Sequence, residues 1–204
     1  LVTGAQGFIG TVLVPKLIKE GYNVIGTDIG YFKDCKVINY KDPIKIIKSD
    51  INELNSKYLK NVNVIVHLAA LSNDPLGNLN KRLTEKINVR GTRSLAVKAK
   101  KMGVKKFLFS SSCIMYGSSS SKVVKENAQL KPLTEYAKSK VKGEKILRKM
   151  ASKSFSPLLI SGFVNRLVTA VLILSSTYLL TLGACVTIST GSLAFVKNLF
   201  KFDT

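Results

Sequence analysis

A chain of 204 residues, 46% of them hydrophobic, holds enough apolar material for one good core and is too rich in it for a disordered polymer. The formal charge of +20 would suit a nucleic acid or an anionic membrane, but the lysines are scattered over nearly every segment and no aromatic residues interleave a basic stripe. A spread charge reads as solvated surface, and abundant Lys, Asn and Ile also follow from an AT-rich coding sequence, so no nucleic-acid partner is expected.

Cys35, Cys113 and Cys185 are odd in number and far apart, which excludes a disulfide framework and a metal-ligand cluster and makes a reducing, cytoplasmic setting the default. The glycines at 4, 7 and 10 interrupt any basic-then-apolar signal peptide. With no initiator Met and only "LV" for a first strand, the natural chain is expected to start earlier.

From residue 1 to 153, apolar β-branched runs alternate with longer helical stretches, the pattern of an α/β, Rossmann-type, doubly wound parallel sheet. The first strand, 1–2, leads into "TGAQGFIG", where Gly4, Gly7 and Gly10 are spaced for a tight turn whose amides can approach a pyrophosphate. A helix is expected over 8–20, in conflict with Pro15, which removes a backbone donor and implies a kink. The second strand, 23–26, is closed by Asp28, 18 residues after Gly10, where a carboxylate can accept from the adenosine ribose and repel a 2′-phosphate. That favours NAD over NADP. A third strand at 45–48 ends near Asp50 and Ile51, beside the place of an adenine.

The fourth strand, 64–67, ends in His67 within "VIVHLAA", and as the only histidine, with no carboxylate or cysteine partner beside it, His67 is assigned a structural place. Leu83, Ile87, Gly91, Leu95, Ala99 and Met102 recur at spacings of three and four, so this helix is expected to lay that stripe on the sheet and stop at Gly103. The fifth strand, 107–109, runs into "SSSCIMYG", in which Cys113 is expected to be a small buried thiol and Ser110 and Ser111 to pack or bond the backbone. In "TEYAKSK", Thr134 is a candidate N-cap. Tyr136 and Lys140 stand one helical turn apart and share a face with Gly143 and Leu147. A tyrosine titrates near pH 10, and a neighbouring ammonium favours its phenolate, making Tyr136 a usable base.

Phosphate loop, ribose carboxylate, "HLAA", serine-ended strand and Tyr-x-x-x-Lys follow one another in an order and spacing that resemble the extended short-chain dehydrogenase/reductases, specifically the NAD-dependent epimerase/dehydratase family acting on nucleotide sugars. The resemblance covers residues 1 to about 153. It implies an NAD site built from Gly4, Gly7, Phe8, Ile9, Gly10, Asp28, Asp50, Ile51, Leu68, Ala69 and Ala70, together with Tyr136 and Lys140. It makes Ser112, 24 residues before Tyr136, the serine that hydrogen-bonds a sugar hydroxyl, Tyr136 the base, and Lys140 the holder of the nicotinamide ribose. Asn88 in "NVRGT" matches the family's structural motif, and a homodimer through the Tyr136/Lys140 helix is implied as well. The loop "SNDPLGN", residues 72–78, would border the sugar and nicotinamide. Dehydratases of the family carry an Asp-Glu pair after the serine, where this chain has Cys113 and Ile114. An epimerase or simple oxidoreductase is therefore expected, with a dehydratase and a non-catalytic NAD-binding module or defective fragment as alternatives.

After "FSPLLI", which suits a sixth strand, the resemblance ends, and no complete substrate domain is expected in 154–204. Residues 154–204 carry only Arg166, Lys197, Lys201 and Asp203 as charges, and Leu167 to Val196 has none. Three readings stand: a shifted or truncated reading frame, which is favoured, a membrane segment over 167–196, and a divergent soluble cap.

Overall fold

The computed structural model describes residues 1–35, 44–72, 78–117 and 128–160. Among these residues the β-branched and aromatic runs become six parallel strands: β1 (Val2–Thr3), β2 (Ile25–Asp28), β3 (Lys45–Lys48), β4 (Val64–His67), β5 (Lys106–Ser110) and β6 (Ser156–Ile160). They lie in the order β3-β2-β1-β4-β5-β6, so the chain moves outward from β1 to one edge and then to the other. The crevice of such a sheet opens at the carboxyl ends of the strands where the order reverses. Here β1 is flanked by β2 and β4, with Thr3 level with Thr27 and His67.

The expected β3 and β4 coincide with the observed strands. Strand β2 sits two residues later than the apolar run suggests, because Ile25 to Asp28 pair in register with Lys45 to Lys48. β5 and β6 pair over Lys106–Ser110 and Ser156–Ile160, and the first compact unit of the chain runs from Leu1 to Ser161. Ile65 and Phe107, wholly buried, meet Leu54, Leu59, Leu95, Ala99, Leu147 and Phe155 in the main core. Among the described residues no helix is long and apolar enough to cross a membrane. The readings placed on 167–196 and on most of "SNDPLGN" fall outside the described residues.

Helix α1 (Gly10–Lys19) continues through Pro15. The long helical stretch is α2 (Lys81–Thr84), a π-helical segment (Glu85–Gly91) and α3 (Thr92–Lys101). Asn80 caps its start by accepting from the Leu83 amide at 2.9 Å, and Gly103 follows its end with φ 79°. Its buried face differs from the expected stripe. Leu95 and Ala99 are buried, but Leu83 is 41% and Met102 37% exposed, while Thr84, Asn88 and Thr92 are inside. The expected stripe assumes one continuous 3.6-residue repeat, whereas the π-helical segment Glu85–Gly91 widens the repeat and rotates the residues before it relative to those after it.

Helix α4 (Glu135–Met150) starts where expected, with the Thr134 hydroxyl accepting from the Ala137 amide at 3.1 Å. Its buried residues include Ala137, Ser139, Lys140, Val141, Gly143, Glu144 and Leu147.

Candidate active site

Gly4 leaves β1 with φ 68°, donating its amide to the Thr27 carbonyl of β2 at 2.9 Å. A Cβ there would stand 2.9 Å from the Ala69 amide nitrogen, and one on Gly10 would run into the Gly4 carbonyl oxygen. The turn is therefore closed to side chains at both glycines. It delivers the chain to the start of α1, whose first turn holds no acidic residue, leaving the positive end of the helix without a carboxylate of its own. Phe8 is exposed, and Ile9 half-buried.

At the end of β2 the half-buried Asp28 carboxylate accepts from the Gln6 amide at 3.0 Å through Oδ2 and from the Gly30 amide at 2.8 Å through Oδ1. These bonds fix the carboxylate against the glycine turn while leaving further lone pairs on both oxygens. After β3, Asp50 Oδ1 accepts from both the backbone and side-chain nitrogens of Asn52, at 2.8 and 2.9 Å, and Ile51 is buried. After β4, the amides of Leu68 and Ala69 each donate to the Thr3 hydroxyl at 3.2 Å, and Ala70 follows half-buried. The glycine turn, Asp28 and "HLAA" thus converge on the end of β1, whereas Asp50 and Ile51 stand one strand further out.

The second half of the site lies at the end of β5. Lys140 is 4% exposed, and among the described residues no carboxylate forms a salt bridge with it. Its ammonium donates to the Ser110 carbonyl at 2.7 Å and stands 4.9 Å from the Phe109 ring centroid and 5.5 Å from that of Tyr136. Burial lowers its pKa from 10.5 to about 8. Tyr136 is half-buried one turn earlier on α4. Ser111 is buried, and Ser112 is half-buried at the start of a one-turn 3₁₀ segment, Cys113–Tyr116, where its Oγ lies 3.5 Å from the Ile114 amide.

Cys113 is exposed rather than a buried thiol. The 3₁₀ turn begins at that residue and directs it outward, and Met115 fills the buried position instead. His67 is 2% exposed, and its pKa falls to about 3, first through burial and then through the charge of Lys140. It is a neutral imidazole bonded to Thr3 Oγ1 at 2.7 Å and Thr92 Oγ1 at 2.9 Å. Thr3, Thr92 and Ser139 escape a sequence reading because hydroxyls at strand and helix positions look like surface filler. The one available signal was that Thr84, Asn88 and Thr92 recur every four residues.

The family model described as "NAD dependent epimerase/dehydratase family" matches residues 1–165. This chain belongs to the NAD-dependent epimerase/dehydratase family. A putative UDP-glucose 4-epimerase of Methanocaldococcus jannaschii is 35% identical over 152 residues, covering 72% of this chain and 49% of the relative. The fold of MoeE5 in complex with UDP-glucose and NAD superposes with a TM-score of 0.67 at 29% identity, over 78% of this chain and 51% of that one. A UDP-N-acetylglucosamine 4-epimerase from Methanobrevibacter ruminantium M1, in complex with UDP-N-acetylmuramic acid, gives a TM-score of 0.72 at 27% identity, over 78% and 53%. The chain spans about half the length of these relatives.

The residues present fit the dinucleotide that gives the family its name. The turn at Gly4 and Gly10 has no room for a Cβ, and Asp28 is held beside it by two amides. Two buried hydroxyls, Thr27 Oγ1 on β2 and Ser111 Oγ just after β5, have no hydrogen-bond partner among the described residues.

Proposed function

We propose that this chain carries the NAD-binding, hydride-transferring half of a nucleotide-sugar epimerase or related oxidoreductase, with Ser112, Tyr136 and Lys140 as its catalytic residues. The observation that carries the reading is the buried ammonium of Lys140, held by the Ser110 carbonyl and set against the Tyr136 ring. A charge that costs this much desolvation is retained where it has electrostatic work.

Gly4, Gly7 and Gly10, flanked by Phe8 and Ile9, would receive the pyrophosphate on backbone amides at the start of α1. Asp28 would take the adenosine ribose hydroxyls, and Asp50 with Ile51 the adenine edge. Leu68, Ala69 and Ala70 would line the floor of the crevice. When bound, NAD would accept a hydride from the sugar carbon and return it. Tyr136 would remove the hydroxyl proton from that carbon's oxygen, Ser112 would hydrogen-bond the same hydroxyl, and Lys140 would favour the phenolate while holding the nicotinamide ribose. Cys113 and Ile114 offer no carboxylate for eliminating water, which supports epimerisation or simple oxidation over dehydration. A homodimer through α4 remains part of the proposal.

The test is to titrate the purified chain with NAD, incubate it with UDP-glucose, and follow sugar turnover. Tyr136→Phe is expected to lower turnover by at least about 100-fold, the scale of a general base, with NAD affinity nearly intact. Equal turnover in the variant would remove Tyr136 from its role, and NAD binding with no turnover in the wild type would leave a binding module.

A further inference from the structure

We infer that His67 is a positioning residue, locked as the Nε2–H tautomer, that joins the phosphate turn to the Tyr136 helix through one directional chain of buried hydrogen bonds. The direction follows from counting protons. Thr3 Oγ1 already accepts the amides of Leu68 and Ala69, both at 3.2 Å, which leaves its own proton to donate to His67 Nδ1 at 2.7 Å. Thr92 Oγ1 donates to the Asn88 carbonyl at 2.6 Å, so toward His67 Nε2, 2.9 Å away, it can only accept. The reverse tautomer would give Thr3 a third donor, leave the Thr3 proton without an acceptor, and take Thr92 from the Asn88 carbonyl.

The chain continues on both sides. Thr3 is bonded to the first residues after β4 and precedes Gly4 directly. Asn88 Oδ1 accepts from the Leu71 amide at 2.8 Å, while its Nδ2 donates to the Leu71 carbonyl at 3.1 Å and to Ser139 Oγ at 3.0 Å. Ser139 Oγ in turn donates to the Tyr136 carbonyl at 2.7 Å. The Phe107 and Phe109 rings, with centroids 5.7 and 5.9 Å from that of His67, keep water from the imidazole. Every link is buried or half-buried, so each bond, once broken, strands a donor or acceptor, and the links hold each other. This tie acts on the two halves of the site described under Proposed function, and its effect on cofactor binding rests on that reading.

Nitrogen-15 NMR of the full chain without cofactor tests the tautomer, and as the only histidine, His67 gives one set of ring signals. The expected result at pH 7 is a proton on Nε2 alone. A proton on Nδ1, or exchange between the two nitrogens, overturns the inference. Thr92→Val removes the acceptor and strands the Nε2–H, and NAD affinity is expected to fall about tenfold, with Thr92→Ser restoring it. Unchanged NAD affinity in a folded Thr92→Val chain also overturns it. Failure of the wild type to bind NAD instead defeats the functional proposal, while the tautomer result still judges the role of His67.

Discussion

Asp28 and Lys140 are the two charged side chains on which the proposed chemistry of the crevice turns, and they are held in opposite ways. Asp28 is fixed by two backbone amides with lone pairs to spare. Beside the adenosine ribose, as proposed, such a carboxylate would favour the ribose hydroxyls and repel a phosphate on the same sugar. Asp28→Ala is expected to weaken NAD about tenfold, the worth of one or two charge-assisted hydrogen bonds, and to leave NADP unchanged or improved. Calorimetric titration with both nucleotides measures the preference, and an unchanged ratio would remove the ribose assignment.

Lys140 has no counter-charge among the described residues, and its burial is a cost to folding that the Ser110 carbonyl and two rings offset in part. Its pKa of about 8 in the folded chain lies below the ordinary 10.5, so between those values the unfolded chain holds more proton and stability rises with pH. Urea unfolding of wild type and Lys140→Met is expected to show the wild type gaining about 2 kcal/mol on the variant between about pH 8 and pH 10. A constant difference would show that Lys140 keeps its ordinary pKa.

At the scale of elements, the Gly10 end of α1 and the turn before it form one rigid unit, because Gly4 and Gly10 meet backbone rather than flexible side chains. Gly10→Ala forces a Cβ onto the Gly4 carbonyl, which must move the turn. We expect a loss of about 2–4 kcal/mol of stability, the range of severe steric mutations, and loss of detectable NAD binding, read by thermal unfolding and titration. Wild-type affinity in this variant would separate the turn from the cofactor. Helix α4 is legible for simpler reasons: its cap, its apolar face and the Tyr136–Lys140 spacing are local. The helix before it is not. Leu83 and Ile87 advertise an apolar stripe, but the buried positions hold Thr84, Asn88 and Thr92, whose hydrogen bonds make polar burial affordable.

On the scale of the molecule, the sheet order places the glycine turn after β1 next to β4, and β5 next to β4, so the two halves of the site face one crevice. NAD bound there, as proposed, would stabilise the fold by mass action. NAD at about 100 times its dissociation constant should raise the unfolding free energy by about 2.7 kcal/mol, or the midpoint by about 5–10 °C for a domain of this size. Scanning calorimetry with and without NAD measures the shift, and no shift at any concentration would argue that the crevice takes another ligand.

The sequence by itself determined the parallel α/β class and the glycine turn, and it marked Asp28 and the Tyr136–Lys140 pair as candidates, because each rests on contacts within a few residues or on a periodicity visible along the chain. It could also name His67 as structural, from the lack of a neighbouring partner. Only the tertiary structure decided what His67 does, since Thr3, Thr92 and Asn88 stand 64, 25 and 21 positions away along the chain. It likewise decided that Cys113 faces outward and that Lys140 is buried against the Ser110 carbonyl. Burial and pairing between distant strands are properties of the packed sheet, and they depend on register and helix rotation, which local patterning leaves free by a residue or two.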